Sequence, residues 1–372
     1  MLSKEELLRY NRHIIMPEVG TEGQTKLKKA KVLVIGTGGL GCPVLLYLTA
    51  AGVGNIGIID FDTVSESNLQ RQILFDTHDI GKSKAKVAAK KLKAQNPYVN
   101  FEVYSTKFSK QNALKLVGEY DLVIDGTDNF PSRYLLNDAC VISGKPFVFG
   151  AIYKFYGQVS VFNYKNGPTY RCLFPEQPQE DEVPNCSTIG VIGAIPGIIG
   201  TLQASEAIKI ILGKGEIMSG KLFQIDLLSL NIDLIDIYKD EEAATIRDLS
   251  EYNTVCSDDE QLQIHTISPL DLYEKIQNKE QLSIYDVREK HQFDDYRIGG
   301  QFKDAGELLE HSKNIPSDHP LIIVCEFGEK SLALVEYLQH SEGFNNIYNL
   351  EGGIQGWIKA GLPFIDTIPK SV

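Results

Sequence analysis

Apolar positions in the first part of the chain fall into short continuous runs separated by longer amphipathic stretches. Residues 5–29 carry them at helical spacing and predict an amphipathic helix. Val32, Leu33, Val34 and Ile35 form an unbroken apolar run, which predicts a buried strand over 31–35. Residues 39–51, rich in small side chains, predict a helix suited to close packing on a sheet. A second strand is predicted over 55–60, with Ile56, Ile58 and Ile59 ending in Asp60. Residues 82–95 are a lysine-studded helix, and 120–125 and 146–149 are further strands. Such alternation predicts a parallel, doubly wound α/β sheet. Over 157–163 the period becomes two, with Val159, Val161 and then Tyr164, and 221–225 resembles another strand. The sheet is therefore expected to continue into an antiparallel extension.

A second α/β pattern follows a polar stretch. Residues 239–260 are rich in charge and poor in aliphatics, which predicts a first domain over 1–240, a linker over 241–261 and a small α/β domain over 262–372. In the latter, Ile267-Ser268-Pro269 signals a helix start. Residues 282–287, 321–325 and 346–350 are short strands, with a helix over 330–340. A length of 372 residues fits two domains or three. The net charge of −12 argues against nucleic acid as a main ligand, because phosphate binding needs basic surface. The first six residues, Met1-Leu2-Ser3-Lys4-Glu5-Glu6, are too polar for a signal peptide. The uncharged stretch 186–205 holds four glycines, Pro196, Thr201 and Gln203, with Glu206 and Lys209 close behind. It reads as a buried loop and core helix rather than a membrane span. Six cysteines without close pairing predict a reduced, cytoplasmic setting.

Gly36-Thr37-Gly38-Gly39-Leu40-Gly41 follows the first strand. Glycines at this spacing make a tight turn and let backbone N–H groups approach a phosphate at a helix N-terminus. Asp60, nineteen residues past Gly41, is placed to hold a ribose hydroxyl. Alone, this pattern favours a NAD enzyme. Arg71 in Asn68-Leu69-Gln70-Arg71-Gln72, and Lys84, add cations able to neutralise a triphosphate. Taken singly, each also has a bland reading: Lys84 in a solvated lysine run, Arg71 in a surface ion pair. Asp125-Gly126-Thr127-Asp128-Asn129 ends a strand where ligands collect, and Asp128 is a candidate Mg²⁺ ligand.

Together with Arg9-Tyr10-Asn11-Arg12-His13 and Gln203-Ala204-Ser205-Glu206-Ala207-Ile208-Lys209, these segments resemble the MoeB/ThiF/HesA adenylyltransferases, which are similar to the adenylation domain of ubiquitin-activating enzymes. The resemblance covers residues 3–240. It implies a Rossmann-like sheet, ATP with Mg²⁺, and adenylation of the C-terminal glycine of a ubiquitin-like sulfur carrier of MoaD or ThiS type, ending in Gly-Gly. By motif position, Gly36, Gly38, Gly39, Gly41 and Asn68 would frame the nucleotide. Asp60 would hold the ribose, Arg71 and Lys84 the phosphates, and Asp128 the metal. Arg12 would reach the phosphates of the other subunit of a homodimer.

The cysteines carry the remaining chemistry. Cys325 follows Leu321-Ile322-Ile323-Val324 and opens the loop Glu326-Phe327-Gly328-Glu329-Lys330-Ser331. Backbone N–H groups and a helix N-terminus there stabilise a thiolate and a persulfide anion. With Asp286-Val287-Arg288-Glu289 and Gly352-Gly353-Ile354-Gln355-Gly356-Trp357, this segment resembles the rhodanese domain over 262–366. Three details depart from that family. Glu326 follows the cysteine where a cation is frequent, Lys330 stands where arginine is common, and Tyr296-Arg297-Ile298-Gly299-Gly300 replaces Gly-His-Ile-Pro-Gly. The extra negative charge is expected to disfavour anionic donors such as thiosulfate, and to favour sulfur delivered by a persulfide-donating desulfurase. Cys186 stands where relatives of the first domain carry a cysteine able to accept acyl or sulfur. Those relatives usually bind structural zinc through two Cys-x-x-Cys pairs. Here Thr169 and Asn253 replace the first member of each pair, leaving Cys172 and Cys256, so no structural zinc is expected. Cys42 and Cys140 fall in helical patterns and read as core.

The combined resemblance is to fused MoeB–rhodanese activators. It implies that ATP adenylates the carrier and that persulfide sulfur on Cys325 displaces AMP to give a thiocarboxylate. A NAD-dependent oxidoreductase and a non-catalytic carrier-binding module are the rival readings.

Overall fold

A computed structural model describes residues 1–178, 190–249, 264–310, 315–316, 318–340 and 344–366. The chain divides into two compact units, Met1–Ser257 and Asp258–Val372.

In the first unit the strands are β1 (Lys31–Ile35), β2 (Asn55–Ile59), β3 (Asn100–Tyr104), β4 (Leu122–Asp125), β5 (Phe147–Tyr153), β6 (Tyr156–Phe162), β7 (Lys221–Asp226) and β8 (Asn231–Asp236). They form one sheet in the order β3-β2-β1-β4-β5-β6-β7-β8. The first five are parallel and the last three antiparallel. The doubly wound sheet with its antiparallel extension is thus as the pattern predicts. Side chains alternate between the faces of a strand. Val32 and Val34 join one core, with Ile56, Ile58 and Ile199, while Leu33 and Ile35 join another, with Val123 and Phe147. Burial on both faces is why β1 reads as an unbroken apolar run. The chain winds outward from β1 to β3 and returns to β4. That reversal opens a crevice beyond the C-terminal ends of β1 and β4, where open α/β sheets bind ligands.

The helix predicted over 5–29 is three pieces, Lys4–Arg9, Asn11–Ile14 and Gly20–Lys29. Pro17 has no N–H to continue a helix, and Gly20 takes φ +59°, so the chain turns between the last two. Residues 194–205 of the uncharged stretch enter the helix Ala194–Leu212; residues 186–189 lie outside the described residues, and 190–193 are partly exposed rather than a buried loop, with Ile192 turned to solvent. Among the described residues it is the one helix long and apolar enough to cross a membrane. It packs on the helix Gly41–Ala51 and on β5 and β6, burying Ile195, Ile199, Ala204 and Ala207. After β8, Ile237 and Leu249 are buried in the second core beside Leu222 and Tyr170, so the chain stays with the first unit through Leu249.

The second unit has a parallel sheet in the order Gln301–Phe302, Ser283–Asp286, Leu321–Val324, Ile347–Leu350, Thr266–Ile267. Its strands are β9 (Thr266–Ile267), β10 (Ser283–Asp286), β11 (Tyr296–Arg297), β12 (Gln301–Phe302), β13 (Leu321–Val324), β14 (Ile347–Leu350) and β15 (Ile365–Asp366), with β11 and β15 paired apart as an antiparallel ribbon. Leu321 and Ile323 face one core and Ile322 and Val324 the other. The predicted helix start is real: Ser268 Oγ accepts the Asp271 N–H and Pro269 is the first helical residue.

Candidate active sites

The glycine loop lies in the crevice of the first sheet. Gly36 takes φ +88°, and a Cβ there would stand 2.6 Å from the Gly126 carbonyl oxygen. Only glycine lets the loop after β1 touch the loop after β4. Thr37 donates to Asp60 Oδ2 from its backbone nitrogen at 2.7 Å and from its hydroxyl at 2.6 Å. Asp60 Oδ1 accepts the Asp62 N–H at 2.9 Å. An ionised carboxylate has about four acceptor sites. Asp60 therefore anchors the loop and keeps capacity for one more donor. Around the loop, a Cβ built on Gly39 would stand 3.1 Å from Pro196 Cβ and 3.7 Å from Arg71 Cγ, and one on Gly38 would stand 3.8 Å from Gln72 Nε2. Gly41 opens the following helix.

Arg71 thus lies against the glycines, with Nη1 tethered to the Ser67 carbonyl at 3.0 Å. Asn68 caps its own turn and accepts the Arg71 and Gln72 N–H groups on its carbonyl. Lys84 does not belong to a solvated lysine face. It is 6% exposed, and its Nζ pairs with Asp62 Oδ2 at 2.9 Å, so its charge is held inside the site. Asp128 is exposed just beyond β4, beside Asn129, whose side chain caps the next helix. Arg12 is exposed on the short helix Asn11–Ile14.

Two buried devices that the sequence reading missed support this crevice. Asp125 is fully buried; its Oδ1 accepts both donors of Thr127 and its Oδ2 pairs with Arg133 Nε at 2.9 Å. Gln203, also fully buried, donates through Nε2 to the carbonyls of Asp125 at 2.7 Å and Val148 at 3.2 Å, tying β4 to β5. The signal for the first was an acid at a strand end in an apolar run, which needs a buried cation nearby. Removing one partner strands the other charge in the core. Asp125→Ala should destabilise the first unit by about 3–5 kcal/mol in urea denaturation. A loss below about 1 kcal/mol, the scale of a surface pair, would contradict that burial.

Cys172 is the cysteine left of the first Cys-x-x-Cys position. Its sulfur accepts Thr169 N–H at 3.3 Å and Asp240 N–H at 3.4 Å, so sulfur hydrogen bonds join the helix Tyr170–Leu173 to the chain after β8. Asn253, Cys256 and Cys186 lie outside the described residues. Cys42 and Cys140 are core residues: burial pushes the Cys42 thiol up to about 12 and that of Cys140 well above its ordinary value.

In the second unit Cys325 follows β13 and is 4% exposed. Its sulfur accepts the N–H groups of Gly328 at 3.2 Å and Ser331 at 3.3 Å, and lies 3.2 Å from Ser331 Oγ. The loop is seated against the Gly352-Gly353 turn, where a Cβ on Gly353 would stand 2.3 Å from the Cys325 carbonyl oxygen. Glu326 is turned into a socket. Tyr296 Oη donates to it at 2.8 Å, Gln355 Nε2 at 2.7 Å and Arg288 Nη1 at 3.1 Å. Burial alone would raise this carboxyl; the bonds from Gln355, Tyr296 and Arg288 outweigh it and hold the group below the ordinary carboxylate range. Arg288, itself 4% exposed, is also forked onto Asp286. Arg288 is thus shared by two carboxylates, and the Asp286–Arg288–Glu326 cluster keeps a net negative charge beside the loop. Lys330 is spent as well, on the Val287 carbonyl at 3.0 Å. What stands out beside the thiol is Phe327, at 65% exposed.

Comparison with known proteins gives each unit a family. Residues 10–245 match the ThiF family and residues 268–360 the rhodanese-like domain. A probable adenylyltransferase/sulfurtransferase MoeZ of Mycobacterium tuberculosis is 40% identical, over 97% of this chain and 95% of its own. A sulfur carrier protein adenylyltransferase of Thermus thermophilus is 48% identical, over 68% of this chain and 98% of its own. Among solved structures, E. coli MccB with ATP superposes with a TM-score of 0.56 at 23% identity, covering 63% of this chain and 72% of that one, which speaks for the fold. With family models matching in both units and a relative matching nearly end to end, the chain belongs to the ThiF family and is an adenylyltransferase/sulfurtransferase with a C-terminal rhodanese-like domain.

Proposed function

We propose that this protein activates the C-terminal carboxylate of a ubiquitin-like sulfur carrier with ATP and then replaces the activated oxygen with sulfur held on Cys325. The observation that carries the reading is the pairing, in one chain, of a glycine cradle anchored on Asp60 with a sulfur cradle around Cys325. The residues suit a nucleotide. Gly38 and Gly39 present bare backbone, Asp60 keeps acceptor capacity, and Gln72 Oε1 is a buried acceptor without a partner beside the loop. Mg²⁺ takes oxygen ligands and commonly one or two carboxylates with substrate phosphates. Asp128 fits that role, and the metal would add charge stabilisation at the phosphates.

In the first step the carrier carboxylate attacks the α-phosphate and pyrophosphate leaves. The nucleophile is already ionised, so the protein's task is charge stabilisation by Arg71 and Lys84 rather than proton removal. In the second, the terminal sulfur of a Cys325 persulfide attacks the acyl carbon and AMP leaves, giving an acyl disulfide. A second thiol then attacks the Cys325 sulfur and releases the thiocarboxylate, leaving a disulfide to Cys325 that an external dithiol reduces before the next turnover. Cys186 is assigned the role of second thiol from the sequence. The sulfur donor is a persulfide-carrying desulfurase, a reading supported by a loop with no uncommitted cation for a small oxyanion. A homodimer with Arg12 acting across the interface is supported by exposed Leu8, Ile15 and Met16 around it. The free thiols of Cys42, Cys140, Cys172 and Cys325 support a cytoplasmic setting. A relative from Porphyra purpurea named a probable molybdopterin-synthase adenylyltransferase favours a MoaD-like carrier over a ThiS-like one.

The test is ATP–pyrophosphate exchange with candidate carriers ending in Gly-Gly. Exchange should require the carrier, and truncating its last glycine should abolish it; exchange indifferent to the carrier would contradict the proposal. The chain should also purify without stoichiometric zinc, since Thr169 offers no thiolate and Cys172 is engaged by hydrogen bonds. Elemental analysis after gel filtration reads this, and one tightly held zinc per chain would refute it.

A further inference from the structure

Ser331 and Asn349 form a polar pair beneath Cys325. Ser331 is fully buried and Asn349 is 4% exposed. Ser331 Oγ lies 3.2 Å from Cys325 Sγ, 2.6 Å from Asn349 Oδ1 and 3.3 Å from the Gly328 carbonyl oxygen. One hydroxyl carries one proton, so it serves one of these acceptors at a time. When Ser331 donates to Asn349 Oδ1, its shortest contact, its lone pairs face the sulfur. That arrangement suits a thiol, whose S–H donates to Oγ. A thiolate or persulfide anion needs the reverse, with Oγ–H turned to sulfur. Asn349 allows both, because an amide offers an oxygen acceptor or an N–H donor from one side chain. When the sulfur loses its proton to solvent, the hydroxyl turns to the sulfur and the amide presents Nδ2 to Oγ.

We propose that Ser331 and Asn349 are positioning residues that track the charge on Cys325. The pair is a reversible hydrogen-bond chain that runs toward Asn349 in the thiol and toward sulfur in the thiolate and persulfide. This deepens the reading of Cys325 as sulfur acceptor and rests on it. The charged groups around the loop are otherwise committed: Glu326, Asp286 and Arg288 to one another, Tyr296 to Glu326, and Lys330 to Val287. Glu329 is exposed on the loop. The uncharged pair is thus the part of the cradle free to change direction.

The test is iodoacetamide alkylation of Cys325 in the full chain across pH, read by mass spectrometry of its peptide. A hydrogen bond to a charged group outweighs the same bond to a neutral one. Ser331→Ala should therefore lower alkylation at neutral pH about tenfold and displace the profile to higher pH, and Ser331→Thr should restore it. Asn349→Asp, close to isosteric, can only accept and adds negative charge, so it should fall at least as far. Asn349→Ala removes one hydrogen bond from both directions of the chain and should stay within about threefold of wild type. A merely structural role predicts the opposite order, with Asn349→Ala worse than Asn349→Asp. That order, or a wild-type profile in Ser331→Ala, overturns the proposal. Alkylation reads the thiolate without sulfur transfer. A wild-type Cys325 that alkylates but never loads sulfur overturns the acceptor reading alone, and one inert at every pH overturns both.

Discussion

Asp128→Ala and Arg71→Ala should each lower carrier-dependent pyrophosphate exchange by at least about a hundredfold, the usual scale for losing one preorganised charge in a site that works by electrostatic stabilisation. The structure makes the loss readable as chemistry. Asp128 is exposed beyond β4 and Arg71 is half-buried against the glycine loop; neither contributes to a hydrophobic core. Arg71 spends one nitrogen on the Ser67 carbonyl and keeps its other donors for a phosphate. Urea denaturation of both variants should match wild type within about 0.5 kcal/mol, as for surface substitutions. Near-normal exchange in either variant would remove its residue from the site. Lys84→Ala is a weaker probe, because it also leaves Asp62 beside an emptied, buried position.

Much of this arrangement was legible in the sequence because its physical causes are local. A strand buried on both faces must be apolar throughout, so β1, β2, β4 and β13 announced themselves. Glycines at fixed spacing after such a strand have few other uses. The edge strands β3 and β8 were not found: β3 is only half-buried, and every residue of β8 is exposed. Partnership across the sheet was equally hidden. Lys84 looked like one of a solvated lysine row, and only the fold brings Asp62 to it. Glu326 was visible as an acid beside the nucleophile, but nothing local shows Arg288, thirty-eight residues earlier, bonding to it. The same holds for Arg133 beneath Asp125, and for Asn349, which reaches Ser331 from a neighbouring strand. Each is a buried polar group whose need for a partner is a sequence-level certainty and whose partner is a tertiary fact.

Sulfur transfer should collapse in Cys325→Ala while adenylation continues. The two proposed chemistries draw on different units of the chain, and the lost atom is the sulfur on which the proposed transfer runs, for which alanine offers no substitute. The geometry also revises what Glu326 should do. Because Arg288, Tyr296 and Gln355 hold its carboxylate, Glu326→Arg would press a second guanidinium against Arg288 and disrupt the socket instead of drawing thiosulfate to the loop.

The proposed function requires one chain both to activate the carrier and to supply its sulfur through Cys325. The most direct measurement gives Cys325→Ala the carrier, ATP and a protein persulfide, then reads pyrophosphate exchange and the mass of the carrier together. Exchange is expected at the wild-type rate, with no thiocarboxylate from the protein persulfide and recovery of product with free sulfide at high concentration, which attacks the adenylate unaided. Thiocarboxylate formed from the protein persulfide at the normal rate would contradict the proposed function, making the rhodanese-like unit a passenger and moving the sulfur chemistry to Cys186.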